Sequence, residues 1–456
     1  MQRTTLALLA LAVVSLQSPV TGQSPVSSQS PVASPRATAI AHVNVVDVAA
    51  GTVAADMTVL INGDRITTVG KAAAPAGAQV VDGRGKYLIP GLWDMHSHLT
   101  DSRGSALLVL AATGVTYVRD AGNSSLAELD VWRGQIAAGQ ILGPTIFRAG
   151  PTLNGQESNQ YHVVIANAAD ARIAAQTLKK AGVDFFKTHR RTSRDAYFAL
   201  ADEAKKLGVP LIGHVPMTVT PAEASDAGQQ TIEHVETLFE GTFATAHNGQ
   251  VTAAGMKEWR ESPAAAALFA TFVRNGTIVD PTLVATGLLA RAFTSINSDP
   301  HLKYVAASNL RKREQALSGL PAIAKNQIPP QVVEREAVTL QLQRAGVTLV
   351  TGTDASFLHP PGFSLHDELD MLVEAGLTPA EALRAGTINC AKLFPHLDAG
   401  LVAPGKRADL VLLNANPLAD IRNAHDIHAV VLRGRVLNRT ALDRALADAV
   451  RLAATE

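Results

Sequence analysis

Short apolar runs alternate with longer stretches of helical periodicity from residue 88 onward, and glycine or proline separates many of them. This alternation is typical of repeated β-α units. The pattern predicts eight strands, at residues 88–98, 116–119, 145–148, 183–187, 211–214, 231–235, 277–282 and 348–351. It predicts helices between them at residues 105–112, 125–138, 168–181, 194–207 and 330–345. Eight such units predict an α/β protein with a (β/α)8 TIM barrel.

Both ends of the folded part have a β-rich pattern instead. Strands are predicted at residues 37–48, 58–67, 66–69 and 79–82, and again at residues 409–414, 428–433 and up to 437. We expect these segments to pair in one small β-sandwich domain built from both chain ends. The predicted organisation is therefore residues 37–87 and 399–456 in that domain, with the barrel at residues 88–398.

The first 36 residues have a different character. Arg3 precedes a short apolar run at residues 4–16, and the small residues Thr21 and Gly22 follow it. This arrangement predicts a signal peptide at residues 1–22, and hence an exported protein, periplasmic or secreted, with no membrane segment after cleavage. The Gln-Ser-Pro-Val sequence occurs three times within residues 17–32, so residues 23–36 are predicted to form a Ser/Pro-rich tether.

Composition narrows the function classes. The chain has 456 residues, with 40 basic and 40 acidic side chains and no long basic run. This balance argues against a nucleic-acid partner and favours a small-molecule substrate. The single cysteine, Cys390, lies within a helical pattern at residues 378–393 and is predicted to be a core residue. Any metal must therefore have nitrogen and oxygen ligands. The sequence leaves the oligomeric state open, including a homo-oligomer.

Metal-competent side chains stand where the predicted barrel strands end, which is where barrel enzymes place their chemistry. They are His96 and His98 on strand one, Lys187 on strand four, His214 on strand five, His234 on strand six and Asp354 on strand eight. Each alone has an ordinary explanation, such as a core histidine or a helix cap. Together, at one level of one barrel, they predict a shared metal site.

Several motifs support this interpretation. They are residues 88–98 (LIPGLWDMHSH), 114–122 (GVTYVRDAG), 233–234 (EH), 352–354 (GTD) and 403–411 (APGKRADLV). With these motifs the chain resembles the amidohydrolase superfamily of metal-dependent hydrolases, and within it the imidazolonepropionase-like and Xaa-Pro dipeptidase-like branch. Dipeptidase-like relatives often have Ser-Gly-Gly after the lysine, whereas residues 188–193 here are Thr-His-Arg-Arg-Thr-Ser. The resemblance therefore does not simply transfer dipeptidase specificity.

The resemblance implies a binuclear centre. His96, His98 and Asp354 would bind the more buried ion, and His214 and His234 the more exposed one. Lys187 would bridge the two as a carboxylated lysine, a carbamate derived from carbon dioxide. Phe185 and Phe186 beside it would favour its neutral, reactive form. Zinc is the first expectation for the two divalent ions, and manganese or cobalt would also suit these ligands.

A metal-activated hydroxide would then cleave an amide or peptide C–N bond, with Asp354 as general base and then general acid. The expected substrates are dipeptides or N-acyl amino acids. Alternatives on the same centre are hydrolysis of a cyclic amide, a lactone or a phosphoester. A one-ion hydratase or decarboxylase and a non-catalytic binding barrel are further alternatives.

Loops after the strands supply candidate substrate-binding residues. These are Tyr161, His162, Arg190, Arg191 and His359. Either arginine could hold a substrate carboxylate in bidentate fashion. Both could equally be solvated charges before the next helix. His189 and Asp280 lie in the same group of loops, and His366 begins a helical run in which a structural role is expected.

Overall fold

The computed structural model describes residues 37–156, 160–239, 251–285, 287, 299–318, 328–356 and 359–456. The predicted signal peptide and tether lie outside the described residues, so export stays a prediction. No helix in these described ranges is both long and apolar enough to cross a membrane.

Seventeen strands lie in the described part of the chain. They are β1 (Thr38–Asp47), β2 (Thr52–Asn62), β3 (Arg65–Gly70), β4 (Gln79–Asp82), β5 (Tyr87–Pro90), β6 (Leu92–Ser97), β7 (Val115–Asp120), β8 (Thr145–Arg148), β9 (Thr152–Asn154), β10 (His162–Val164), β11 (Phe186–Thr188), β12 (Leu211–Gly213), β13 (Thr231–Glu233), β14 (Ile278–Asp280), β15 (Leu410–Leu413), β16 (Ile427–Leu432) and β17 (Arg435–Asn438).

Helices separate most of these strands. The α-helices are Leu99–Ser102, Ser105–Ala112, Leu126–Ala137, Ala168–Lys180, Arg194–Leu207, Pro221–Asp226, Ala253–Arg260, Pro263–Asn275, Ala307–Ser318, Pro330–Arg344, Phe363–Glu374, Pro379–Ala385, Ile388–Ala391 and Arg439–Ala453. Short 3-10 helices are Pro300–Tyr304, Pro395–Leu397 and Ile421–His425. The predicted helix at residues 378–393 is two helices, because Thr387 has a non-helical backbone between them.

Two parallel sheets form the α/β part. One has the order β6-β7-β8 and the other the order β10-β9-β11-β12-β13-β14. The predicted eighth strand, residues 348–351, is not a regular strand. Its backbone makes two hydrogen bonds with Val279 of β14, from Val279 N to Thr348 O (3.0 Å) and from Val350 N to Val279 O (3.1 Å), and it accepts one from Met95 N of β6 at Thr351 O (2.8 Å). It therefore lies between β14 and β6 without a continuous ladder, and a closed eight-stranded barrel stays a prediction.

The two chain ends form a separate sheet with the order β17-β16-β15-β5-β1-β2-β3, with β4 paired to β1. Strand β5 pairs antiparallel with β15, so Leu88 lies opposite Leu412. The predicted pairing of the two ends is thus confirmed. One face of the sheet packs an apolar core that includes Val43, Leu88 and Leu410. The strands connect as one sheet, so a division into two sandwich layers stays a prediction.

The helix Arg194–Leu207 shows how the sequence sets the loop nearest the predicted site. The Ser193 side chain accepts a hydrogen bond from Ala196 N and starts the helix, and Gly208, in a left-handed conformation, ends it. Lys187 lies in β11, which ends at Thr188. The four residues 189–192 are therefore a short, defined connection at the carboxyl end of a parallel strand.

Candidate metal centre

All six predicted metal-site residues line one cavity of about 280 Å³, named here the metal cavity. Its lining residues are His96, His98, Asn123, Thr152, His162, Lys187, His189, His214, His234 and Asp354. The structure therefore brings together side chains from five distant segments of the chain.

The tightest group in this cavity is His96, His98 and Asp354. Their ligand atoms all lie within 4.8 Å of one another. Asp354 Oδ1 is 3.0 Å from His98 Nε2 and 3.4 Å from His96 Nε2. The Nδ1 atom of His98 is 2.7 Å from the carbonyl oxygen of Gly122, which orients the ring with Nε2 toward the carboxylate. Such a fixed outer contact is typical of histidines that bind metals.

The other three predicted ligands continue the same group. Lys187 is buried and its Nζ is 3.4 Å from His96 Nε2. The His234 ring lies 4.7 Å from that of His96 and 4.5 Å from that of His214, measured between centroids. His234 Nδ1 is 2.8 Å from the Thr282 hydroxyl, so its Nε2 is the atom available to a ligand.

Two of these residues have a left-handed backbone, which non-glycine residues seldom adopt. The φ angle is 64° at His234 and 53° at Asp354. The left-handed residue His234 follows directly after β13. As a result, Glu233 and His234 both place a potential ligand atom within 4.8 Å of a ring nitrogen of His96. Regular strand alternation would send neighbouring side chains to opposite faces. Backbone strain of this kind is commonly concentrated at functional sites.

Two glycines in the walls of the metal cavity allow neighbouring atoms to approach closely. Gly213, just before His214, has a φ of 123°, and a Cβ there would overlap the Thr188 carbonyl oxygen. At Gly352 a Cβ would overlap the carboxylate of Asp280 and approach the side chain of His96. Both positions therefore require glycine because other backbone or site atoms approach too closely.

Burial sets the charge of most of the imidazoles. It lowers the pKa of His96 and of His214, with further lowering by neighbouring cations, so both rings are neutral at pH 7 and able to bind a metal. Burial also opposes charge on His98, but the hydrogen bond and charge of Asp354 outweigh it and raise the pKa of His98 to about 9. Burial acts against the charged form of Asp354 too, yet His98 lowers its pKa overall.

A buried charged network beneath the cavity was not predicted from the sequence. Glu233 forms an ion pair with Lys187, and its other oxygen is 2.9 Å from Arg119 Nη2. Arg119 also donates to the hydroxyl of Thr231 at 2.9 Å. Asp280 lies 3.6 Å from the same guanidinium, and burial raises its pKa well above its usual value. The only sequence signal was charged residues inside otherwise apolar strands.

Asp94 is a second missed residue. Its carboxylate accepts hydrogen bonds from the backbone N–H of His96 at 3.1 Å and from the Thr353 hydroxyl at 2.7 Å. It thus joins β6, which carries His96, to the segment that carries Asp354. A sequence signal existed, because positions 94, 96 and 98 are two residues apart, which places Asp94 on the same side of the strand as His96 and His98.

A second cavity of about 440 Å³ adjoins the first. It is lined by Asn154, His189, Arg190, Arg191 and Met217, and is named here the arginine cavity. His189 lines both cavities, and its ring lies 4.4 Å from that of His214. Burial lowers the pKa of His189 to about 3, so it is neutral at pH 7.

The predicted substrate-binding residues divide between these places. His162 lines the metal cavity, and Arg190 and Arg191 line the arginine cavity. The structure does not bring Tyr161 or His359 into the described lining of either cavity. His359 is buried, with Nε2 3.2 Å from Ala285 O. His366 is also buried, and its bond to Thr113 O (2.8 Å) agrees with the structural role expected for it.

The model of the amidohydrolase family matches residues 87–437, which include the metal cavity, the arginine cavity and strands from both chain ends. The chain belongs to the amidohydrolase family. It is accordingly a hydrolase of the kind that acts on carbon–nitrogen bonds.

Individual amidohydrolases are similar over most of the chain. A putative prolidase from Bifidobacterium longum is 26% identical, with a TM-score of 0.66, over 91% of this chain and 99% of that one. A Xaa-Pro dipeptidase is 22% identical, with a TM-score of 0.65, over 88% of this chain and 100% of that one. At this identity the likeness shows the fold alone. The imidazolonepropionase of Idiomarina loihiensis is 25% identical over 80% of this chain and 88% of its own.

Shorter matches carry less weight. A stretch of 93 residues, 20% of this chain, is 40% identical to adenine deaminase 2 of Rhizobium meliloti, and it spans only 14% of that protein's length. The substrates of these relatives are therefore not transferred to this chain by similarity alone.

The residues of the metal cavity fit divalent metal ions. His214 Nδ1 is buried without a hydrogen-bond partner among the described residues, whereas His96 Nδ1 lies 3.4 Å from Glu233 Oε2. An orphaned atom such as His214 Nδ1 is costly unless a ligand or another group satisfies it. Imidazole nitrogens together with a carboxylate oxygen form the donor set that zinc-like ions prefer.

Proposed function

We propose that this amidohydrolase uses two metal ions to cleave the amide bond of dipeptides or N-acyl amino acids. The observation that carries the proposal is the convergence of His96, His98 and Asp354 within 4.8 Å, with the remaining predicted ligands in the same cavity. A binding protein would not need a carboxylate in this position as well as the imidazoles.

In the proposed centre, His96, His98 and Asp354 would hold one ion, and His214 and His234 would hold the other. Lys187, as a carbamate, would contact both. Zinc is the first choice, with manganese and cobalt as alternatives. Bound ions would supply Lewis-acid polarisation of the scissile carbonyl and a water molecule that ionises near neutral pH.

The network beneath the cavity is compatible with a carboxylated lysine. Carboxylation would remove the positive charge of Lys187 and so dissolve its ion pair with Glu233. Glu233 would keep Arg119, whose Nη2 is 2.9 Å away, as its counter-charge. A buried carboxylate is expensive without such a partner. Arg119 therefore allows the lysine to change charge without leaving Glu233 unpaired.

Asp354 is the proposed proton carrier. Its side chain is 34% exposed and lines the metal cavity, where bound dications would keep the carboxylate ionised. An ionised carboxylate can accept the proton of the attacking water and then give it to the leaving nitrogen. The Nε2 atoms of His96 and His98 lie 3.4 and 3.0 Å from Asp354 Oδ1, so the three residues would share one bound ion, which would limit the reorganisation that proton transfer needs.

The relatives support a peptide-like substrate but leave neighbouring chemistry open. A prolidase and a Xaa-Pro dipeptidase favour an amide between amino acids. An imidazolonepropionase and an adenine deaminase are similar as well, so a cyclic amide is the second candidate.

A matched substrate panel tests the proposal. The purified protein, supplied with zinc and bicarbonate, should release amino acids from dipeptides or N-acyl amino acids faster than it opens lactams, lactones or aryl phosphoesters. Turnover of a lactam or an ester alone would move the assignment to that alternative. If nothing is turned over and less than one ion binds per chain, the binding-barrel alternative is favoured.

A further inference from the structure

The loop after β11 connects the metal cavity with the arginine cavity. It begins two residues beyond Lys187, and His189 lines both spaces. One substrate could therefore occupy both cavities, with one group beside Arg190 or Arg191 and the adjoining part extending past His189 into the metal cavity. The loop is thus placed to select substrates.

Hydrogen bonds fix this loop on both sides. The side-chain oxygen of Asn154 accepts from Arg191 N at 3.2 Å, and the Arg190 carbonyl accepts from Met217 N at 3.0 Å. At Gly155 a Cβ would overlap the carbonyl oxygen of Arg191, so the loop lies directly against the chain after β9. Asn154 itself is buried. A loop held in this way would bind a ligand with little loss of conformational freedom.

The charges of the loop are arranged for an anion. Arg191 is exposed, and its guanidinium makes no ion pair with the residues that the structure describes. Arg194, three positions later, is by contrast paired with Glu223 at 3.0 Å. Arg190, which also lines the arginine cavity, already has an interaction partner, and no acidic side chain is among the described residues of the lining. Arginine stays charged at any working pH and matches a carboxylate with two parallel hydrogen bonds.

We propose that Arg191 binds a carboxylate of the substrate in the arginine cavity. The substrate class is then an amide that carries a free carboxylate, such as an N-acyl amino acid or a dipeptide with an unblocked C-terminus. This inference rests on the proposed function, because the amide itself would lie in the metal cavity. Met217, half exposed on the same wall, offers an apolar surface to the adjoining side chain.

The test compares acids with their neutral amides. Zinc-loaded enzyme is assayed with N-acetyl-L-leucine and N-acetyl-L-leucinamide, following acetate release, and with glycyl-L-leucine and glycyl-L-leucinamide, following glycine release. We expect at least a tenfold preference for the acids. Arg191→Gln should lower kcat/KM for the acids by about 10- to 100-fold, chiefly through KM, and leave the amides unchanged. Arg191→Lys should recover part of the loss.

Arg194→Gln is the matched control, because it removes a neighbouring arginine that does not line the cavity. It should leave the acid-to-amide ratio unchanged. An Arg191→Gln loss that is equal for acids and amides would assign the residue a structural role and overturn the proposal. Equal cleavage of acids and amides by the wild-type enzyme would also overturn the carboxylate subsite, although the proposed function would stand.

Binding provides a readout that does not depend on turnover. Calorimetry on zinc-loaded Asp354→Asn protein should show N-acetyl-L-leucine binding more tightly than its amide, and Arg191→Gln in that background should abolish the difference. Selective binding of the acid without wild-type turnover of any panel substrate would sink the proposed function and keep the carboxylate subsite. No selectivity in binding would overturn the subsite.

Discussion

The metal cavity and the arginine cavity share His189 but are built differently. In the metal cavity, buried partners such as Gly122 and Thr282 orient the histidines, and glycines make room for them. In the arginine cavity the backbone is anchored while the Arg191 side chain projects outward. The difference suggests that the chemistry depends on buried contacts that tolerate little change, whereas substrate choice depends on exposed side chains that can change without disturbing the fold.

The largest expected effect is on catalysis, through Asp354. Asp354→Asn removes the proposed proton acceptor while keeping the shape of the side chain, so kcat should fall by about 10²–10⁴-fold. Steady-state kinetics measures the loss, and circular dichroism checks that the fold is kept. Asp202→Asn, a surface carboxylate paired with Lys206, is the control and should retain activity. Retained turnover in Asp354→Asn would favour the one-ion hydratase or decarboxylase.

Beneath the metal cavity, Arg119 should matter for stability. Arg119→Met leaves Glu233 and Asp280 buried without their shared cation, which should lower the free energy of unfolding by about 3–5 kcal/mol. Urea denaturation measures the change. Arg194→Met, in an exposed pair, should cost no more than about 1 kcal/mol. Equal costs at the two positions would show that the buried network does not support the cavity.

Gly213 tests the close packing of the metal cavity. Gly213→Ala combines a left-handed backbone with an overlap against the Thr188 carbonyl, and should cost about 2–5 kcal/mol and reduce bound metal. Gly208→Ala is the matched control, since its φ is also positive, at 63°, but a Cβ there meets nothing within 4 Å. It should cost only about 1 kcal/mol and keep the metal. Equal effects would mean that packing at Gly213 is unimportant.

The smallest effect is expected at Glu223, outside both cavities. The hydrogen bond from Arg194, followed by that from Thr220 N, lowers the pKa of Glu223 to about 2. A lowered pKa contributes stability above the unfolded value of about 4.5, which is lost as the pH falls toward 2. Glu223→Gln should therefore cost about 1 kcal/mol at pH 7 and almost nothing below pH 2. Thermal melts across this range, with kinetics expected to be unchanged, provide the check.

Most elements of the α/β part were predictable because their ends carry local signals. The helices Ser105–Ala112 and Arg194–Leu207 have the predicted bounds, the second because Ser193 and Gly208 mark its ends. Strands β9 and β10 were missed because no predicted helix separates them from the strand before, so the alternation of strands and helices does not mark them. The segment at residues 348–351, Thr-Leu-Val-Thr, was predicted as a strand because β-branched and apolar residues fill it, but its few backbone bonds are divided between two neighbouring strands.

The candidate site was predictable as far as it depends on strand ends. All six predicted ligands line the metal cavity. Arg119 and Glu233 were missed because their roles depend on partners more than 100 positions apart, which no local pattern reveals. His359 was named because it follows the last predicted strand, but its ring is buried against Ala285. Distance along the chain from a ligand was therefore a weaker guide than position at a strand end.

The most direct test of the central claim is a count of metal and carbamate in one sample. Wild-type protein and Lys187→Ala are incubated with zinc and ¹³C-bicarbonate, then examined by metal analysis and by ¹³C NMR. The account predicts two zinc ions per chain and a carbamate signal in the wild type, with the signal absent and zinc reduced in Lys187→Ala. Wild-type protein with no carbamate signal and less than one ion per chain would contradict it.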